Sequence, residues 1–557
     1  MKFLIVVWEA AGPRRMTLAF CLAASMLGMI GVLVTVNSVI FKDHAEFLPN
    51  LVGLLFFTIA ASAVVTGQTI GQRISAAIVE GLLDRIRVEL VELVRRADYG
   101  RLETIGGHTV YDSLTRNSST MTEAAPLAIH GAASLGALVM GGFYTLTLSP
   151  LVFTVISVLV VVSTFFYRLS QRQTRGALAW VSAAQTRFYD LLRHLLDGFK
   201  EVKLNEPRGD DLEHNYLVPE SDNLRDAQIA ATVQINRGIA ISYSFFYLML
   251  AILAFVLPAF ISDQKVIGVS VYVAIFMLGL VEVILKSVPT VIRASFAIDE
   301  LDGMRATLAD ALRDELPDGG SADFKKISGV DLLYSYYDHD GALSFTMGPT
   351  SMELSKGEML FIVGGNGSGK STLLKAFTRL YQPQGGSLLW DGTPVVPANA
   401  RAYRSLFSSV FSDFHLFDRL YGMDHVPEER VNALLEDLGI AHKTRYQDGR
   451  FTNTDLSTGQ RKRLALAVAL LEERPILVLD ELAADQDPEF RQRFYGELVP
   501  RWKAEGRSLI IVSHDDRYFH IADRTMILAD GRAKAVPPAG AAEAGPGTAG
   551  TDGETGA

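Results

Sequence analysis

A single cysteine, Cys21, is present among 557 residues. Disulfide frameworks and thiolate metal sites built within one chain are therefore excluded. A basic excess is also lacking, since 52 Lys and Arg against 62 Asp and Glu leave a formal net charge of −10. Nucleic-acid phosphates demand a positive surface, so no nucleic-acid partner is expected. Charge of either sign is missing altogether from residues 16–41, 47–72, 124–167, 238–262 and 266–281. A helix needs roughly 20 apolar residues to cross the hydrocarbon core of a bilayer. The 124–167 stretch is long enough for two passes joined around Ser149-Pro150, so six spans are expected. The first run is too long for a signal peptide and no trustworthy A-x-A site follows it, so it is read as a retained span.

At 557 residues the chain exceeds the size at which one core keeps growing, which implies at least two domains. The expected division is a transmembrane domain over 1–300, with spans at about 16–40, 48–71, 125–147, 150–167, 238–261 and 266–288, then a linker over 301–325. Residues 326–533 alternate strand-like runs with amphipathic helices, the pattern of an α/β sheet domain. Residues 534–557, rich in Ala, Gly and Pro, lack apolar bulk and are expected to be a disordered tail.

Lys2, Arg14 and Arg15 precede span one, Arg73, Arg85, Arg87, Arg95, Arg96 and Arg101 follow span two, and Arg168, Arg172 and Arg175 follow span four. Positive charge collects on the cytoplasmic side, so the amino terminus and the two long loops are expected there. Those loops, 73–123 and 168–237, repeat apolar residues at helical spacing. They are read as cytoplasmic extensions of the membrane helices, turning back through crosspieces at Gly106–Thr115 and Asn205–Asp211.

The stretch Gly364-Gly365-Asn366-Gly367-Ser368-Gly369-Lys370-Ser371-Thr372 follows the apolar run Met359–Val363. A G-x-x-x-x-G-K-S loop between a strand and a helix cradles phosphates with its backbone N–H groups. Lys370 would bridge the β- and γ-phosphates of ATP, and the Ser371 hydroxyl would ligate Mg²⁺. The run Ile476–Leu479 ends in Asp480 and Glu481. Asp480 would hold Mg²⁺, and Glu481 would orient and deprotonate an attacking water.

Between these two motifs, Leu456-Ser457-Thr458-Gly459-Gln460 resembles the LSGGQ signature of ATP-binding cassette (ABC) transporters. His514 matches that family's switch histidine, Ala484–Asp487 looks like its D-loop, and Tyr336 stands where an adenine-stacking aromatic is expected. The resemblance covers about 326–533. It implies a type I exporter-like fold, with a six-helix all-α transmembrane domain, long helical extensions and an α/β P-loop nucleotide-binding domain. It also implies a homodimer in which two ATP molecules are sandwiched head to tail. Ser457, Gly459 and Gln460 of one copy would complete the phosphate site of the other.

Two positions depart from the family. Ser412 stands where a Gln normally reaches Mg²⁺ and water, which leaves a bridging water or Asp413 as substitutes. Phe451–Asp455 lacks the Gly-Glu element common in multidrug and lipid exporters. The blocks Phe411–Phe417, Asp455–Arg463 and Ala483–Pro488 resemble bacterial exporters of cyclic or modified peptides, including pyoverdine-type siderophore precursors and microcins. The expected activity is therefore ATP-driven export of a cyclic, lasso or siderophore peptide across the bacterial inner membrane. The alternative cargo is lipid or hydrophobic drug. The chain starts close to span one, so no amino-terminal peptidase is expected. In span six, Glu282 and Lys286 lie one helical turn apart. They read either as a cavity pair touching polar substrate or as a snorkelling pair at the end of the span. His130 and Asn37 read as packing or interhelical hydrogen-bonding groups.

Overall fold

The computed structural model describes residues 2–40, 51–312, 323–337 and 342–534. It divides into two compact units, one of Met1–Val91 with His108–Ala306, the other of Glu92–Gly107 with Thr307 onward.

Among its described residues the first unit is all helical. Its long helices are Arg15–Ile40, Leu51–Arg96, Gly107–Leu148, Pro150–Asp197, Val218–Ala251 and Gln264–Asp310. Among the described residues, six helical stretches are long and apolar enough to cross a membrane. Leu51–Arg96 has 46 residues, about 69 Å at 1.5 Å per residue, so it extends well beyond a 30 Å hydrocarbon core. Phe20, Leu51, Phe56 and Phe143 on these helices stay exposed. Large apolar side chains left exposed on apolar helices suit contact with lipid. An amphipathic helix, Lys2–Ala10, precedes the first span and buries Phe3 and Val7. Lys2 pairs with Asp299 and Asp302, both at 2.7 Å.

The crosspieces need one correction. The expected break at Gly106–Thr115 is helical, because Gly107–Leu148 is one continuous helix. The short separate helix is Tyr99–Ile105 instead. Asp98 caps it by accepting from the Arg101 N–H, and Gly106, at φ +80°, ends it. The second break is the helix Glu206–Asp211, where the Asn205 side chain accepts from the Arg208 N–H.

Among its described residues the second unit has two large sheets and a two-stranded one, Tyr446–Gln447 with Arg450–Phe451. A six-stranded sheet has the order Arg532–Lys534, Arg524–Ala529, Met359–Val363, Ser508–Val512, Ile476–Asp480, Phe407–Val410. All neighbours are parallel except the first pair. The three central strands are buried along their whole length. Continuous Val, Ile and Leu runs suit strands covered on both faces. A four-stranded antiparallel sheet is ordered Leu343–Ser355, Lys326–Tyr337, Gly385–Trp390, Thr393–Pro394. Lys534 belongs to the sheet, while the tail expected to be disordered lies, from 535 on, outside the described residues. The unit also takes in Glu92–Gly107, which the expected boundaries assigned to the transmembrane domain.

Candidate nucleotide site

Register places the chemistry at one edge of the parallel sheet. Val512 pairs with both Ile362 and Asp480, so three adjacent strands end at the same level. The phosphate loop, the Asp480-Glu481 pair and His514 therefore all emerge from the carboxyl edge, where open α/β sheets bind ligands. Gly364 must be glycine, since a Cβ there would lie 2.2 Å from the Leu528 carbonyl oxygen. That close approach draws the loop tight before the helix Lys370–Phe377 begins.

Lys370 is only 5% exposed and donates to the carbonyls of Gly364 and Gly365 at 3.0 Å. Its ammonium stands 3.6 Å from Glu481 Oε1. The Ser371 hydroxyl donates to Asp480 Oδ2 at 2.8 Å. Asp480 Oδ1 and the Ser368 hydroxyl are buried with no hydrogen-bond partner among the described residues. Burial pushes the Asp480 carboxyl up, against hydrogen bonds from Ser371 and Ser412. Among the described residues no group of three or more His, Cys, Asp or Glu gathers to hold a metal by itself. The Ser371 hydroxyl and the unpartnered Asp480 Oδ1 could serve a cation that arrives with a nucleotide. Ser371 and Asp480 would offer oxygens, and the phosphates and water the rest, as suits Mg²⁺.

Glu481 takes a left-handed backbone, φ +53°, which is costly for a residue with a side chain. Its N–H donates to the Val512 carbonyl, and its carbonyl accepts from Lys462 Nζ at 2.8 Å. Lys462 also pairs with Asp485 at 2.7 Å. The Glu481 carboxylate meets His514 Nε2 at 3.0 Å.

Asp413, offered with a bridging water as a substitute for the missing Gln, is engaged with Lys375 at 3.0 Å. Ser412 is the one that lies against Asp480. The Tyr336 hydroxyl reaches Thr372 Oγ1 at 3.3 Å and Tyr381 Oη at 3.1 Å, which places its ring beside the phosphate loop. The signature stands apart. Ser457 begins the helix Thr458–Leu471, and its N–H donates to Gln460 Oε1 at 3.3 Å. The Gly459 carbonyl accepts from Gln486, and a Cβ on Gly459 would lie 2.7 Å from the Asp485 carbonyl. None of these hydrogen bonds reaches the phosphate loop of the same chain.

Sequence reasoning missed a second cluster. Tyr381 donates to Glu103 of the short helix Tyr99–Ile105 at 2.5 Å and stacks on Tyr334 at 4.3 Å. Lys375, on the phosphate-loop helix, donates to the Tyr99 hydroxyl at 3.4 Å and stands 3.7 Å from Glu103. Burial pulls the Lys375 ammonium down, but Asp413, Tyr99 and Glu103 outweigh it and hold it above the usual lysine range.

These features have close counterparts in known proteins. Residues 347–484 match the ABC transporter family. The ATP-binding protein SyrD of Pseudomonas syringae pv. syringae is 31% identical over 471 residues, 81% of this chain and 82% of that protein. The chain belongs to the ABC transporter family. The ATP-dependent lipid A-core flippase of Burkholderia orbicola (strain AU 1054) is 28% identical over 360 residues, 61% of this chain and 59% of that protein. A solved structure of a bacterial Atm1-family ABC exporter with ATP bound shares the fold. Its TM-score is 0.75 at 16% identity, covering 94% of this chain and 95% of that one. The chain is thus an ABC half-exporter, a multi-pass membrane protein whose cassette binds ATP and hydrolyses it to drive transport.

The transmembrane unit holds a cavity of about 800 Å³. Its walls are mostly apolar, with Ser163, Tyr167, Arg168, Tyr243 and Glu282 among the polar lining groups. Glu282 pairs with Lys286 at 2.6 Å. Asn37 donates to the Tyr144 hydroxyl at 2.5 Å, and His130 bonds Gln72, both interhelical contacts.

Proposed function

We propose that the protein exports a peptide-type substrate, cyclic, lasso or siderophore, across the bacterial inner membrane by alternating access. The observation that carries the proposal is the cavity of about 800 Å³, which combines broad apolar walls with charged Arg168 and Glu282. Peptides with mixed side chains need both kinds of surface, whereas an ion channel needs neither the volume nor the apolar walls. The short blocks around Ser412 and Ser457 support the same cargo.

The working unit is a homodimer, with the amino terminus and cassette on the cytoplasmic side. Among the described residues the hydrogen bonds of the signature helix run to Gln460 and Gln486 and not to its own phosphate loop, which supports a role for Ser457, Gly459 and Gln460 in a partner copy's site. Within each site Lys370 and the loop amides bind the phosphates, and Tyr336 stacks on adenine. Glu481 orients and deprotonates water, held by His514. Ser371 and Asp480, with Ser412 beside them, would hold Mg²⁺, which neutralises phosphate charge when bound. A second cargo, lipid or hydrophobic drug, is favoured by the likeness to the lipid A-core flippase. The two are separated by ATPase activity in proteoliposomes with cyclic peptides added, against the same vesicles enriched in lipopolysaccharide lipid. Stimulation by lipid alone would refute the peptide assignment.

A further inference from the structure

Of the three successive cations Arg461, Lys462 and Arg463 on the helix Thr458–Leu471, Lys462 is the buried one, only 6% exposed. A lysine is rarely buried without a partner for its charge. An apolar side chain would fill the same space without desolvating an ammonium. The Lys462 ammonium meets the Asp485 carboxylate at 2.7 Å and donates to the main-chain carbonyl of Glu481 at 2.8 Å. Asp485 is half exposed and keeps water as an alternative partner. The contact that reaches into the nucleotide site is the one to the Glu481 backbone.

That backbone needs holding. Glu481 stands at φ +53°, in the left-handed region that a residue with a Cβ keeps only where its surroundings fix it. Its N–H donates to the Val512 carbonyl at 3.2 Å. Its carbonyl accepts from the Ala484 N–H at 3.3 Å, a contact within the same turn, and from Lys462, a shorter and charge-assisted bond from another helix. Pinned on both sides of its Cα, the residue has one direction for its side chain. Oε1 then lies 3.0 Å from His514 Nε2 and 3.6 Å from the Lys370 ammonium. A backbone relaxing out of the left-handed region would swing the carboxylate away from both.

We infer, on the reading of Glu481 as the base, that Lys462 is a positioning residue for ATP hydrolysis, holding the strained Glu481 backbone so that its carboxylate stays aimed at the attacking water. Lys462 acts on the main chain of Glu481 and not on the nucleotide, so its loss shows in kcat and not in ATP affinity.

The test uses the purified full chain in proteoliposomes, with phosphate release followed at saturating Mg-ATP and affinity measured with a fluorescent nucleotide. Lys462→Met keeps the stem and removes the donors, and the Glu481 carbonyl retains its Ala484 bond. A shift of about 1 Å at a reacting group can cost on the order of 10²-fold, so kcat should fall about tenfold or more with affinity unchanged. Asp485→Asn, nearly isosteric and at a half-exposed position, should lower kcat in the same direction by less. Both substitutions are then repeated in a Glu481→Gln background, where neither should lower turnover further. A loss that merely reflects damaged structure would instead multiply. Undiminished turnover in Glu481→Gln alone would overturn the base reading and this inference with it. With Glu481→Gln impaired, unchanged kcat in Lys462→Met, or an equal fold loss in both backgrounds for either variant, would overturn the inference alone.

Discussion

Replacing Lys375 by Met tests how the crosspiece is fastened to the nucleotide-binding sheet. The ammonium is 10% exposed and serves Asp413 at 3.0 Å, Glu103 at 3.7 Å and the Tyr99 hydroxyl at 3.4 Å. It also sits over the rings of Tyr99 and Tyr381, at 5.3 and 5.5 Å. Met keeps the apolar stem and removes the charge. A hydrogen bond to a charged group contributes about 1.5–3 kcal/mol. Asp413 and Glu103 are 55% and 43% exposed, so both regain water once the lysine is gone, and the lower end applies. The two ring contacts add about 0.5 kcal/mol each. The expected loss is about 2–3 kcal/mol, or about 5–10 °C for a unit of this size.

The assay is thermal unfolding followed by tryptophan fluorescence. Trp8 and Trp180 are replaced by Phe, so that Trp390 and Trp502 report the cassette unit alone. The comparison is Lys443→Met, an exposed lysine in the same unit. If Lys375→Met shifts the midpoint no more than Lys443→Met does, the buried cation contributes nothing and the reasoning is refuted.

Three further outcomes are expected. Glu481→Gln should lower ATP turnover by about 10²–10⁴ and trap a nucleotide-bound dimer, visible as retained ATP on size exclusion; undiminished turnover would refute its role as base. Gly364→Val should abolish ATP binding, measured with a fluorescent nucleotide, because the added carbons collide with the Leu528 carbonyl; unchanged affinity would show that the loop can relax. Burial works against the Asp437 carboxylate, but Arg501 and Arg493 outweigh it and hold the carboxyl below its usual range. The stabilisation this provides is present above about pH 3.9, the unfolded value, and is lost as pH falls through the folded one. Urea unfolding of Asp437→Asn should therefore trail the parent at pH 6, with the gap closing in stronger acid; a gap independent of pH would count against the ion pairs.

Much of the site is legible because its determinants are local. The phosphate loop, the Asp480-Glu481 pair and the signature each occupy a few consecutive residues whose spacing reflects one strand, one turn and one helix. The crosspiece was misplaced for an equally local reason. Gly106-Gly107 reads as a break in the pattern, but Gly106 ends a helix already begun at Tyr99, and Gly107 opens the next. Lys462 stands between two other cations, Arg461 and Arg463, and nothing in the pattern says which turns inward to hold the Glu481 carbonyl.

By itself the sequence determined six runs apolar enough to cross a membrane and an ATP-binding cassette with its phosphate-loop motif, since charge exclusion and loop motifs are properties of short segments. Only tertiary structure decided what those segments touch. Glu103 and Tyr381 are 278 positions apart in the chain, yet their oxygens are 2.5 Å apart. Burial and the direction of a side chain depend on the packing of distant elements, and no local pattern records them.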